Sequence, residues 1–127
     1  MTRVLIADDN KIVRRMLRLV LARMPDVSIC GEATDGRETI EAARKLRPDV
    51  MILDVRMPQL SGIEAASVVK KDLPKTKTLL FTMYSEFVGP KLASASGIDI
   101  VLPKVEGAAA LVGAIEQIIR DESTAGK

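Results

Sequence analysis

Residues with chemistry to offer stand just past apolar runs in this sequence: Asp8 and Asp9 after Val4-Leu5-Ile6-Ala7, Asp54 after Val50-Met51-Ile52-Leu53, Thr82 after Leu79-Leu80-Phe81, and Lys104 after Ile100-Val101-Leu102-Pro103. If the runs are parallel strands of one sheet, these side chains converge on its carboxyl edge, where open α/β sheets bind ligands. Crowded carboxylates repel one another and call for a cation. Magnesium suits Asp9 and Asp54, because it takes oxygen ligands and commonly one or two carboxylates beside waters and phosphate oxygens. A carboxylate so placed can accept a phosphoryl group. Asp54 is then the nucleophile that forms an acyl phosphate, the metal and Lys104 offset charge on the transferring oxygens, and Thr82 hydrogen-bonds the product. Taken singly, each residue has an ordinary role: Asp8 and Asn10 as caps, Asp54 as a turn residue, Thr82 as a β-branched strand end, Lys104 as a solvated edge charge. Their joint placement favours the chemical reading.

Composition narrows the alternatives. The chain has no histidine, which excludes a Ser/His/Asp triad, a His general base and His-ligated zinc. With 19 basic against 17 acidic residues, the net charge of +2 is too even to indicate nucleic-acid or membrane binding without a local patch. No apolar run approaches the roughly 20 residues needed to span a bilayer, and no signal peptide is legible. The single Cys30 cannot form an internal disulfide and reads as a packed small hydrophobe, so the expected compartment is a reducing cytoplasm. At 127 residues and 47% hydrophobic, the chain fits one globular domain.

The elements that must position these residues follow in order. After the first strand, Ile12, Val13, Met16, Leu17, Val20 and Met24 repeat at helical spacing, with Asn10 as N-cap and Pro25 as the stop. Arg14, Arg15, Arg18 and Arg23 decorate the other side, as a solvated face or a docking surface. Val27, Ile29, Gly31 and Ala33 alternate with Ser28, Cys30 and Glu32, which predicts a half-exposed edge strand. A second helix follows the Asp35-Gly36 turn to Leu46, and a third follows a Ser61 cap to about Lys71. Gly89-Pro90 and several serines disfavour a long helix over Ser85 to Ser96, so a short or mobile one is expected. Ile98, Ile100 and Leu102 alternate with Asp99, Val101 and Pro103 in a second edge strand. Leu111, Val112, Ile115, Ile118 and Ile119 mark the last helix, before a polar tail from Asp121. Alternating strands and helices imply a doubly wound parallel sheet of flavodoxin-like (βα)5 type, with strand order 2-1-3-4-5.

The motifs Asp8-Asp9, Asp54-Val55-Arg56-Met57-Pro58 with Gly62, Thr82 and Lys104 resemble those of a receiver domain of a two-component response regulator, over essentially the whole chain. The resemblance implies a receiver over residues 1–121, with 122–127 a polar tail or the start of a linker. It implies that Asp54 is the phosphoacceptor, that Asp9, Asp54 and the backbone carbonyl of Arg56 bind Mg2+ directly with Asp8 acting through water, that Thr82 is the switch hydroxyl, and that Lys104 is the phosphate partner. The implied phosphodonor is a histidine kinase, and the implied homodimer face is the fourth helix, fifth strand and fifth helix. Gly31-Glu32-Ala33-Thr34-Asp35-Gly36, Leu46-Arg47-Pro48-Asp49 and Thr82-Met83 resemble the NarL/FixJ class, whose members usually add a DNA-binding helix-turn-helix. This domain itself is not expected to bind nucleic acid or membrane.

The chain departs from the family pattern at three places. Val101 stands where an aromatic switch residue is usual, Val105 follows the lysine where proline is common, and Gly89-Pro90 interrupts the fourth helix. Val101 and the interrupted fourth helix suggest one rival, a protein-interaction module that works without phosphorylation. A second rival, an Asp-nucleophile phosphohydrolase, generally needs a second acid two residues after the nucleophile, where this chain has Arg56. A third, a flavin or nucleotide binder, is disfavoured because Asp8-Asp9 would repel phosphate where backbone amides are required.

Overall fold

Val4-Leu5-Ile6-Ala7 and Val50-Met51-Ile52-Leu53 are apolar at every position because helices cover both faces of the strands they form. A computed structural model describes residues 1–125. It contains β1 (Thr2–Ala7), α1 (Lys11–Leu21), β2 (Val27–Ala33), α2 (Gly36–Leu46), β3 (Val50–Leu53), α3 (Gly62–Asp72), β4 (Lys77–Thr82), α4 (Pro90–Ala95), β5 (Ile100–Pro103) and α5 (Gly107–Ala125). The strands are parallel in the order β2-β1-β3-β4-β5, so the two strands with mixed patterning lie at the edges as expected.

Successive residues of a strand point to opposite faces, and each central strand feeds two cores. Val4, Ile6, Val50, Ile52, Leu79 and Phe81 pack with Leu17 and Leu21 of α1 and Leu111, Ile115 and Ile118 of α5. Leu5, Ala7, Met51, Leu53 and Leu80 pack on the other face with Ile40 and Ala43 of α2, Ala65, Ala66 and Val69 of α3, and Ala93 of α4. Local chemistry fixes the helix starts. The Asn10 side chain accepts from Ile12 N–H and Val13 N–H, Asp35 accepts from Glu38 N–H, and Ser61 and Glu64 form a reciprocal capping box.

Several sequence expectations need correction. Ile12, in the apolar set expected for the first helix, is 78% exposed, whereas Leu21, one turn after Leu17 but not in that set, is fully buried. The alternation of the second strand does not define one face. The register slips between Val4 and Leu5, which pair with Ile29 and Gly31, so Ile29 packs with the α1/α5 core while Ala33, of the same alternating set, packs with the opposite one. Ile98, read as part of the last strand's apolar row, precedes β5 and packs with Val101 in the α2/α3/α4 core, not with Ile100 and Leu102. Pro90 begins α4 rather than breaking it. It occupies the first turn, where its missing N–H costs nothing, and the helix is six residues long. A 3-10 turn, Ser85–Phe87, fills the space before it. The basic face of α1 is also not merely solvated: Arg14 and Arg18 converge on Glu32 of β2 at 3.5 and 2.6 Å. The helix α5 continues past Asp121 to Ala125, and the end of the expected polar tail, residues 126–127, lies outside the described residues.

Candidate functional site

Strand register brings the sequence-selected residues to one edge. Ala7 pairs with Leu53, so Asp8 and Asp54 leave adjacent strands side by side, and the ladder continues through Asp54 N–H donating to the Ala7 carbonyl at 3.1 Å. Thr82 pairs with Pro103, which places Lys104 at the end of β5, one strand beyond β4. From there its long side chain reaches back across the end of β4, and Nζ donates to Asp8 Oδ2 at 2.8 Å and to Asp54 Oδ2 at 3.1 Å.

The remaining carboxylate contacts are local. Asp8 Oδ1 accepts from Asn10 N–H at 2.8 Å, and Asp54 Oδ1 accepts from Val55 N–H at 2.7 Å. Asp8 and Asp54 are buried, whereas Asp9 is exposed at the mouth. An oxygen from each of Asp8, Asp9 and Asp54 lies within 4.8 Å of the others. Lys104 alone cannot balance three carboxylates, and even with the exposed Arg56 guanidinium at the rim negative charge remains in excess. The donors are all hard oxygens, which fits a hard divalent cation better than zinc or copper. Arg56 lines the same cleft with Asp9, Asn10, Asp54 and Lys104.

Burial pushes the Asp8 carboxyl above its usual range, and Asp54 adds to this, against the lowering effect of Lys104 and the Asn10 N–H. Burial alone would lower the Lys104 ammonium, but its contacts with Asp8 and Asp54 prevail and raise it above the ordinary lysine value.

Thr82 is at the same edge but is fully buried and does not line the cleft. Its Oγ1 accepts from Tyr84 N–H at 3.0 Å. Tyr84 is the site residue that sequence reasoning missed. Arg56 Nη1 donates to its hydroxyl at 3.0 Å, and the guanidinium carbon lies 5.5 Å from the ring centroid, so the pair forms part of the cleft wall. The available signal was weak: the chain's one tyrosine, two residues past a strand end that already carried a candidate.

The family model described as the response regulator receiver domain matches residues 4–116. The chain is 35% identical over 121 residues to the response regulator protein VraR of Staphylococcus saprophyticus, covering 95% of this chain and 58% of that protein. It is 33% identical to VraR of Staphylococcus aureus, with the same coverage. The chain thus spans a little over half the length of these curated relatives. Among solved structures, a two-component response regulator of the LuxR family from Aurantimonas superposes with a TM-score of 0.87 at 31% identity, covering 95% of this chain and 86% of that one. The receiver domain of AraT, a response regulator from Geobacillus stearothermophilus, gives 0.88 at 28% identity over 99% and 98% of the two chains. With its doubly wound sheet and matching sequence, the chain belongs to the response regulator receiver domain family, on its NarL/FixJ-like side.

Proposed function

We propose that this domain is a phosphoacceptor switch, taking a phosphoryl group from a histidine of a partner kinase onto Asp54 in a magnesium-dependent reaction. The observation that carries the reading is the bridge from Lys104 to both Asp8 and Asp54 inside a cleft that Asp9 also lines. An Asp54 oxygen attacks phosphorus, a P–O bond forms as the donor's P–N bond breaks, and the imidazole leaves with a proton from solvent. Lys104 already sits on Asp54 and meets the incoming oxygens with little reorganisation. Asp9, Asp54 and the Arg56 carbonyl would hold magnesium directly, and Asp8 through water. When bound, the ion supplies positive charge opposite the developing negative charge on phosphoryl oxygens.

The product brings roughly −1.5 to −2 charge and strong acceptors to the end of β4. A hydroxyl that accepts from Tyr84 N–H can still donate its own proton, so Thr82 turns toward the phosphate and takes the Tyr84 segment with it. The domain catalyses only its own phosphorylation and dephosphorylation. In the cytoplasm it would control a separate DNA-binding domain, the arrangement usual in the NarL/FixJ class that the sequence resembles. Exposed Phe87 and Leu92 support contact, including self-association, through the face of α4, β5 and α5. Among the described residues, no helix is long and apolar enough to cross a membrane.

Incubation with phosphoramidate and magnesium tests the reading: one phosphoryl group is gained, and Asp54→Asn or chelation prevents it. No gain in the wild type contradicts it. Val101, packed against the α2/α3/α4 core where the family usually has a movable aromatic, favours a second reading, an interaction module indifferent to phosphorylation. Equal partner affinity with and without phosphodonor would select that one.

A further inference from the structure

We propose that Gly36, at the start of α2, is a positioning residue of the metal site, holding the loop between β3 and α3 in the path that carries Arg56 past Asp9 and Asp54. The inference rests on the function proposed above. Val55, Arg56 and Pro58 of that loop line the acidic cleft, yet the loop is anchored outside the cleft at two backbone points. The inner anchor is Gly62, whose N–H donates to the Val55 carbonyl at 2.9 Å. A Cβ at residue 62 would overlap the Asp54 carbonyl oxygen.

The outer anchor comes from a different element. Gly36 N–H donates to the Pro58 carbonyl at 3.2 Å, and the same carbonyl accepts from Leu60 N–H at 2.9 Å, closing a tight turn through Gln59 at φ 73°. A left-handed residue other than glycine leaves that turn little slack. Gly36 is buried, and a Cβ there would overlap the Leu60 carbonyl oxygen and Cβ. Backbone cannot swing aside as the end of a flexible side chain can. A methyl group at residue 36 must therefore displace the turn from α2, and with it Pro58 and the Arg56 segment two residues earlier. No side chain of Gly36 touches the ion, so its effect is transmitted wholly through the loop path.

Calorimetric titration with magnesium chloride tests this on the whole chain. Gly36→Ala should weaken magnesium binding about 10-fold or more, the range typical of residues that orient metal ligands. Gly113→Ala, an exposed helical site with open space around it, should bind as the wild type does. A folded Gly36→Ala protein with unchanged magnesium affinity overturns the proposal. If that variant does not fold, amide resonances of the wild type decide: Gly36 N–H should shift along the magnesium titration while Gly113 N–H stays still, and an unmoved Gly36 overturns the proposal. Absence of magnesium binding to the wild type overturns the proposed function as well, whereas normal wild-type binding with an indifferent Gly36 overturns this inference alone.

Discussion

Lys104 Nζ donates to Asp54 Oδ2 at 3.1 Å across 50 residues of sequence, and the same ammonium donates to Asp8 Oδ2 at 2.8 Å. Removing it leaves buried Asp8 and Asp54 facing each other without compensation. Lys104→Met should lower the stability of the metal-free protein by about 1–3 kcal/mol, the range for stranded buried polar groups. Urea denaturation in chelator measures this, and saturating magnesium should recover part of the loss. A variant as stable as the wild type without metal would show that the bridge contributes nothing.

Tyr84 and Arg56 brace each other at the wall of the cleft that Asp54 lines, so on the proposed function they would screen an acyl phosphate there from water. Tyr84→Ala removes the ring and frees the guanidinium. The phosphorylated form should decay a few-fold faster, followed as phosphate release after removal of the donor, with the rate of phosphorylation changing less. An unchanged or longer lifetime would remove the pair from the mechanism.

Ser61 caps α3 through its hydroxyl, which accepts from Glu64 N–H at 3.1 Å, while the Glu64 side chain accepts from Ser61 N–H. Ser61→Ala should cost about 1 kcal/mol in thermal or urea unfolding. Replacing Glu64 as well should add less than its effect alone, since the two bonds form one motif.

Burial pushes the Cys30 thiol above its ordinary value, with Arg3 acting in the opposite direction and Asp49 reinforcing the rise. The thiolate is the reacting form, so a raised value means less of it at neutral pH. Alkylation by iodoacetamide at neutral pH should be slower than for an unstructured cysteine peptide, should speed up only above the ordinary thiol range, and should reach the peptide's rate on denaturation. Peptide-like rates in the native protein would contradict this.

Asp8, Asp9, Asp54, Thr82 and Lys104 could be read from sequence because each follows an apolar run, and a parallel sheet sends all such positions to one edge. The less legible features depend on neighbours that periodicity does not encode. Ile12 and Leu21 lie on opposite flanks of one apolar arc, and the core covers the flank that carries Leu17 and Leu21. The register skip over Cys30 leaves Ile29 and Ala33 in opposite cores within an apparently regular strand. Tyr84 acquires its role from Arg56, 28 residues earlier, and Gly36 from a loop more than twenty residues later. Pro90 could break a helix or begin one, and only the path of the preceding turn selects the second.

The central claim is that separate strand ends build one site that delivers a phosphoryl group to Asp54. Borohydride reduces an acyl phosphate to the corresponding alcohol, so trapping after treatment with phosphoramidate and magnesium, followed by peptide mass mapping, reads the acceptor directly. The account predicts homoserine at position 54, absent in chelator. Modification at another carboxylate, or none at all in a folded protein with magnesium present, would contradict it.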